Sequence, residues 1–116
     1  MPVKLKFWDE QIATKFAGFV PNKGIDGFLG ITIDSFEPGQ LVASFKVLPE
    51  MVTMIGNIHG GCISAFCDHV LGVVLYPAMP KGSWAATTEF KINLLRPVSE
   101  GVCTASAEVI AMSKST

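Results

Sequence analysis

Residues 57–69, NIHGGCISAFCDH, hold two histidines, two cysteines, a glycine pair and a carboxylate. Such a stretch is open to three readings: a metal site, the start of a catalytic helix, or ordinary helix packing. Apolar residues continue to Tyr76, with Pro77 and Pro80 behind them, so the run from Gly60 to about residue 76 predicts the longest helix of the chain. At about 100° per residue, Gly61, Ser64, Ala65, Asp68 and Gly72 share one stripe, and all but Asp68 are small. Cys62, Phe66, His69 and Val73 form a second stripe, and Cys67, Val70, Leu71 and Val74 fill the apolar remainder. A helix apolar nearly all round is expected to be buried. The small stripe admits the close approach of another backbone, so the carboxylate in its middle is poorly solvated. Burying a charge is costly unless it is paired or hydrogen-bonded. Asp68 is therefore either a structural hydrogen-bonding group or a carboxylate held in a dry cleft as base or nucleophile.

Helix geometry weighs against a metal. Cys62 and Cys67 are about 140° apart round the helix and point away from each other. Cys62 and His69 share a face but lie roughly 10 Å apart along the axis, too far to share one zinc. The cysteines read as small buried hydrophobes. Glycines at a helix start are more informative, because the first N–H groups of a helix lack internal partners. Together with the positive end of the helix dipole, they suit an anion or a developing oxyanion.

The remainder of the chain predicts one α+β domain with an antiparallel sheet. Residues 4–17, KLKFWDEQIATKFA, place Phe7, Ile12 and Phe16 near one face of a short amphipathic helix. The four glycines and one proline of GFVPNKGIDGFLG (18–30) predict a loop. FLGITIDSF and QLVASFKVL, separated by EPG, predict two strands joined by a turn, with Leu41, Ala43, Phe45 and Val47 on the buried face. After the long helix, WAATTEFKINLLRP (84–97) alternates as a strand, and VCTASAEVIAM (102–112) predicts a last one.

The 116 residues are 49 % hydrophobic and 16 % charged, the composition of a globular domain, with a net charge of −1 that excludes the electrostatic footprint of a nucleic-acid binder. A mean hydropathy of +0.43 is high for so short a chain and implies that a partner subunit covers some apolar surface. No secretory signal is visible at the N-terminus. The most apolar long window, 62–80, carries Asp68 and His69, where an unpaired charge costs roughly 2.5–3.5 kcal/mol on insertion, so no membrane span is expected. Three cysteines without framework spacing fit a reducing compartment, hence the cytoplasm.

IHGGCISAFCDH (58–69) followed by TTEFKINLLRPVSEG (87–101) resembles the hotdog-fold acyl-CoA thioesterases of the phenylacetate-pathway type, within the 4-hydroxybenzoyl-CoA thioesterase superfamily. The resemblance covers roughly residues 28–112. It implies a hotdog fold, in which an antiparallel sheet wraps a long central helix, and dimers or dimers of dimers with active sites at the subunit interface. It also implies hydrolysis of an acyl-CoA thioester without metal, coenzyme A being part of the substrate. His59 and Gly60 match the helix start, with the Gly60 amide in the oxyanion role and Gly61 beside it. Asp68 matches the acid that activates water or attacks the carbonyl. Thr53 stands where the family often has Asn or Gln, and Thr87 where it often has Ser or Thr. By strict alternation, however, Thr87 shares the polar face of Glu89, Lys91 and Asn93, away from the site unless the strand bulges. Lys91 and Arg96 are candidates for the phosphates of coenzyme A, and Met51 and Met54 for an acyl pocket. The implied unit is a single domain over 1–116 that lacks the family's last strands. The same motif admits two other readings, a hotdog dehydratase or hydratase and a non-catalytic acyl-CoA-binding domain.

Spacing adds an independent requirement. Asp68 lies nine residues beyond His59, roughly 13 Å along a helix. If the helix start and Asp68 serve one reaction, the acid must come from a second, antiparallel copy of the helix, approaching along the small stripe.

Overall fold

The computed structural model describes residues 4–113; the ends of the 1–116 domain assignment, 1–3 and 114–116, lie outside the described residues. Its elements, in chain order, are α1 (Glu10–Gly18), α2 (Gly24–Leu29), β1 (Thr32–Glu37), β2 (Gln40–Lys46), α3 (Gly60–Val73) and β3 (Val102–Glu108). The three strands form one antiparallel sheet in the order β1-β2-β3.

β2 is the central strand, and its alternation is the strongest in the sequence. Leu41, Ala43, Phe45 and Val47 are buried, as expected, while the residues between them are less so. β1 pairs with β2 from Thr32↔Ser44 to Glu37↔Gln40, with Asp34 left over in a bulge between Ile33 and Ser35. β3 runs in unbroken register against β2 from Gln40↔Glu108 to Lys46↔Val102.

α3 lies against this sheet through Phe66, Val70 and Val73. Phe66 meets Phe45 edge-on, with ring centroids 4.7 Å apart. The expectation of burial all round is corrected here, since Leu71 is exposed and most other residues of α3 are half-buried. A 3-10 turn, Tyr76–Ala78, follows the helix and contains the expected stop at Pro77.

Three further expectations are corrected. The first helix begins at Glu10 rather than residue 4, because the Asp9 carboxylate caps it, accepting from the Gln11 and Ile12 N–H groups. Its Phe16 packs against Phe36 of β1 and Tyr76 beyond α3. The glycine-rich segment expected as a loop contains α2, closed by Gly30 in the left-handed conformation, whose N–H and that of Ile31 return to Gly27 and Asp26. Thirdly, residues 84–97 belong to no strand of the sheet. They lie on the other flank of α3, where no described strand offers them a ladder, so their alternation is not matched by backbone pairing.

Candidate active site

Glycines 60 and 61 begin α3, and the chain before them is hydrogen-bonded on two sides. The Ile58 N–H donates to the Val98 carbonyl at 2.6 Å, and the His59 N–H donates to Met51 at 2.8 Å. His59 is the cap residue: its Nδ1 accepts from the Gly61 N–H at 2.8 Å. In the neutral ring this leaves the proton on Nε2, turned outward as a donor. The Gly61 amide is thereby engaged. Among the described residues the Gly60 N–H has no acceptor, and it lies where the helix dipole is positive. Ser64, one turn on, donates its hydroxyl to the Gly60 carbonyl at 2.9 Å.

Segment 84–97 of the same chain runs antiparallel to α3 and meets the small stripe at Asp68. Near its end Leu94 seats on Gly60, so closely that a Cβ there would fall 2.5 Å from Leu94 Cδ1. Near its start the Thr87 hydroxyl donates to Asp68 Oδ1 at 2.5 Å. Thr87 and Leu94 lie seven positions apart, on opposite sides of a regular strand, yet both side chains reach α3. Strict alternation is therefore not kept between them, and Thr87 points to the acid that the regular pattern turns it away from.

Two clefts flank this contact. The first, about 240 Å³, is lined by Gly60, Asn57, Ile63, Leu94 and Arg96 among others. The second, about 190 Å³, is lined by Asp68, Thr87, Leu71, Gly72, Leu75 and Phe90 among others. Gly60, Arg96, Asp68 and Thr87 are thus divided between two openings on one flank of α3. The Asp68 side chain is half-buried.

Other candidates are placed elsewhere. The Thr53 hydroxyl accepts from the Ile55 N–H at 3.2 Å and closes the turn 53–56, so it is engaged locally. Met51 is buried in the core and Met54 is fully exposed at the turn, so neither lines either cleft. Asn57, too close to His59 in sequence to take the position at which the family often has Asn or Gln, is half-buried on the wall of the Gly60 cleft. Cys67 and Cys103 lie between α3 and β3, where burial raises both thiol pKa values, that of Cys67 further through the charge of Cys103.

Residues 55–116 match the family model of the thioesterase superfamily. The chain belongs to that superfamily. A candidate esterase of Saccharolobus solfataricus is 30 % identical to it over 90 residues, which span 78 % of this chain and 59 % of that protein. The 1,4-dihydroxy-2-naphthoyl-CoA hydrolase of Listeria monocytogenes is 28 % identical over 93 residues, 80 % of this chain and 76 % of that one. Among solved structures, a phenylacetic acid degradation-related protein of Ralstonia eutropha JMP134 superposes with a TM-score of 0.79 at 20 % identity, over 89 % of this chain and 80 % of that one. The α+β hotdog arrangement expected from the sequence is the arrangement found, an antiparallel sheet packed on a long helix.

Proposed function

We propose that this superfamily member is a cytoplasmic acyl-CoA thioesterase, hydrolysing a small or medium acyl or aryl-acyl thioester at a site shared by two copies of the chain. The observation that carries the reading is the pairing of a free Gly60 N–H at the start of α3 with a Thr87-held Asp68 further along it. The two are about 12 Å apart along the helix, whereas a reacting carbonyl carbon has to lie within about 3 Å of both kinds of group. One chain alone has half of the site.

The exposed segment 84–97 supplies a route to the other half. Its backbone makes no ladder, and unpaired strand edges take a further strand. Two such segments pairing antiparallel about a two-fold axis near Phe90 set Thr87 of one protomer against Leu94 of its partner. Thr87 lies at Asp68 and Leu94 at Gly60. The pairing therefore brings the Asp68 cleft of each protomer to the Gly60 cleft of the other, giving two equivalent sites in a homodimer, or in a dimer of dimers.

In such a site the thioester carbonyl oxygen accepts from the Gly60 N–H. Asp68 of the opposite protomer takes a proton from water, whose oxygen adds to the carbonyl carbon; direct addition of the carboxylate, with later hydrolysis of the anhydride, leaves the same groups in the same places. The oxyanion is held by the Gly60 N–H and the helix dipole. When the C–S bond breaks, the electron pair leaves with sulfur, coenzyme A departs as the thiolate and is protonated, and the carboxylic acid is released. His59 orders the helix start through Gly61 and offers Nε2–H to the substrate. Arg96 lines the Gly60 cleft, and in this reading its guanidinium meets the phosphates of coenzyme A. Coenzyme A enters only as part of the substrate, and the reading calls for no metal, nucleic-acid or membrane partner.

Thiol release from a panel of acyl-CoAs tests this reading. Asp68→Ala and Asp68→Asn are expected to lose about 10²–10⁴-fold in kcat. Full activity in both variants would remove Asp68 from the reaction, and saturable binding without any turnover would favour the binding-domain reading.

A further inference from the structure

Gly72 is the residue of α3 that neither helix propensity nor packing accounts for. A glycine in a helix interior is destabilising relative to alanine, yet a Cβ at this position would meet no atom within 4 Å. The fold therefore does not need the glycine. Position 72 is one helical turn beyond Asp68 on the same face, and it lines the Asp68 cleft. A side chain there would project into that cleft.

The cleft has two kinds of wall. Asp68, Thr87 and Glu89 supply polar groups, and Leu71, Leu75, Ala85 and Phe90 supply apolar ones. Leu71 is 46 % and Phe90 37 % exposed, apolar surface that the described part of the fold leaves uncovered. The volume, about 190 Å³, compares with the roughly 150 Å³ cavity that holds one benzene ring. If Asp68 attacks or activates water against a thioester carbonyl, the acyl group attached to that carbonyl has this cleft beside it, while the Gly60 cleft with Arg96 is left for the coenzyme A side.

We infer that the Asp68 cleft is the acyl pocket and that the missing side chain of Gly72 sets the size of acyl group it takes: a compact uncharged group, up to one ring with a short linker. This rests on the thioesterase reading of the site. Two carboxylates on the wall, Asp68 and Glu89, exclude acyl groups that end in a carboxylate of their own. A long alkyl chain fits only by running out through the open side of the cleft.

The test compares kcat/KM for acetyl-, benzoyl-, succinyl- and palmitoyl-CoA between the natural chain, Gly72→Ala and Gly72→Leu. The Cβ of either substitution meets no neighbour, and alanine and leucine both favour a helix interior over glycine, so both are expected to fold. Benzoyl-CoA is expected to be favoured over succinyl- and palmitoyl-CoA by the natural chain. Gly72→Leu is expected to lower the benzoyl/acetyl ratio by about tenfold or more, with Gly72→Ala changing it in the same direction but less. An unchanged ratio overturns the inference while leaving the thioesterase reading intact. A uniform loss on all substrates, accompanied by a changed oligomeric state, also overturns it, by making position 72 a subunit contact. Should the natural chain turn over none of the panel, the thioesterase reading fails. Benzoyl-CoA titrated into methyl-labelled protein then decides: shifts at Leu71 and Leu75 that Gly72→Leu abolishes uphold the pocket, and their absence overturns it.

Discussion

The Thr87 hydroxyl donates to the Asp68 carboxylate across 2.5 Å, tying an otherwise exposed segment to the middle of α3. A hydrogen bond to a charged acceptor contributes about 1.5–3 kcal/mol, and the exposure of Thr87 places this one at the low end. Thr87→Val is therefore expected to reduce kcat about tenfold, while Thr87→Ser retains most of it. Steady-state kinetics on the three proteins checks this, and equal rates in all of them would leave Thr87 without a role in holding the acid.

Gly60 and Leu94 are in contact tight enough that a methyl group cannot be added without displacement. Gly60→Ala is expected to push Leu94 and Arg96 outward and to reduce kcat/KM about 10²-fold, the scale of a misplacement near 1 Å. Because the obstructing atom is the tip of a side chain, Leu94→Ala in the same chain is expected to restore part of the activity. A double variant no better than the single one would show that the loss does not come from the Leu94 contact.

The sheet and helix are joined most firmly where Phe66 meets Phe45, both 2 % exposed. Phe66→Ala is expected to lower the unfolding free energy by about 3–5 kcal/mol. Urea denaturation followed by circular dichroism measures it. A loss below about 1 kcal/mol would place the centre of the core elsewhere.

Cys67 and Cys103 have thiol pKa values above their ordinary 9.0. The folded chain then holds these protons to higher pH than the unfolded chain does, so stability is expected to fall as pH rises past about 9.0. Cys67→Ala and Cys103→Ala are expected to flatten that decline, as read from melting temperatures between pH 8 and 10.5. A decline unaltered by either substitution would assign it to other groups.

The parts of the fold that were legible in the sequence are those where a local pattern and the tertiary packing agree. Leu41 to Val47 alternate because one face of β2 meets α3, and the stop at Pro77 ends the helical run because proline has no N–H to continue it. α2 was hidden because its glycines give no helix signal; Gly30 at its end, needed for the left-handed cap, was the readable trace. Residues 84–97 alternate like a strand, but alternation reports the environment of side chains and says nothing of whether a neighbouring backbone is there to pair with. Thr87 faces Asp68 only because the alternation breaks between residues 87 and 94, which no residue type announces. In the same way the Thr53 hydroxyl is taken by its own turn, a competition for hydrogen bonds that spacing alone cannot order.

Gly60 and Asp68 of different protomers are the central pair, and a mixing experiment tests them most directly. Chains carrying Asp68→Ala and chains carrying Gly60→Ala, each expected to keep about a hundredth of natural activity or less, are unfolded together, refolded and assayed for thiol release. A shared site predicts that mixed dimers regain up to about one half of natural activity per dimer, since each contains one intact Gly60–Asp68 pair. Mixed dimers formed in full but as inactive as either parent would contradict a site built from two chains.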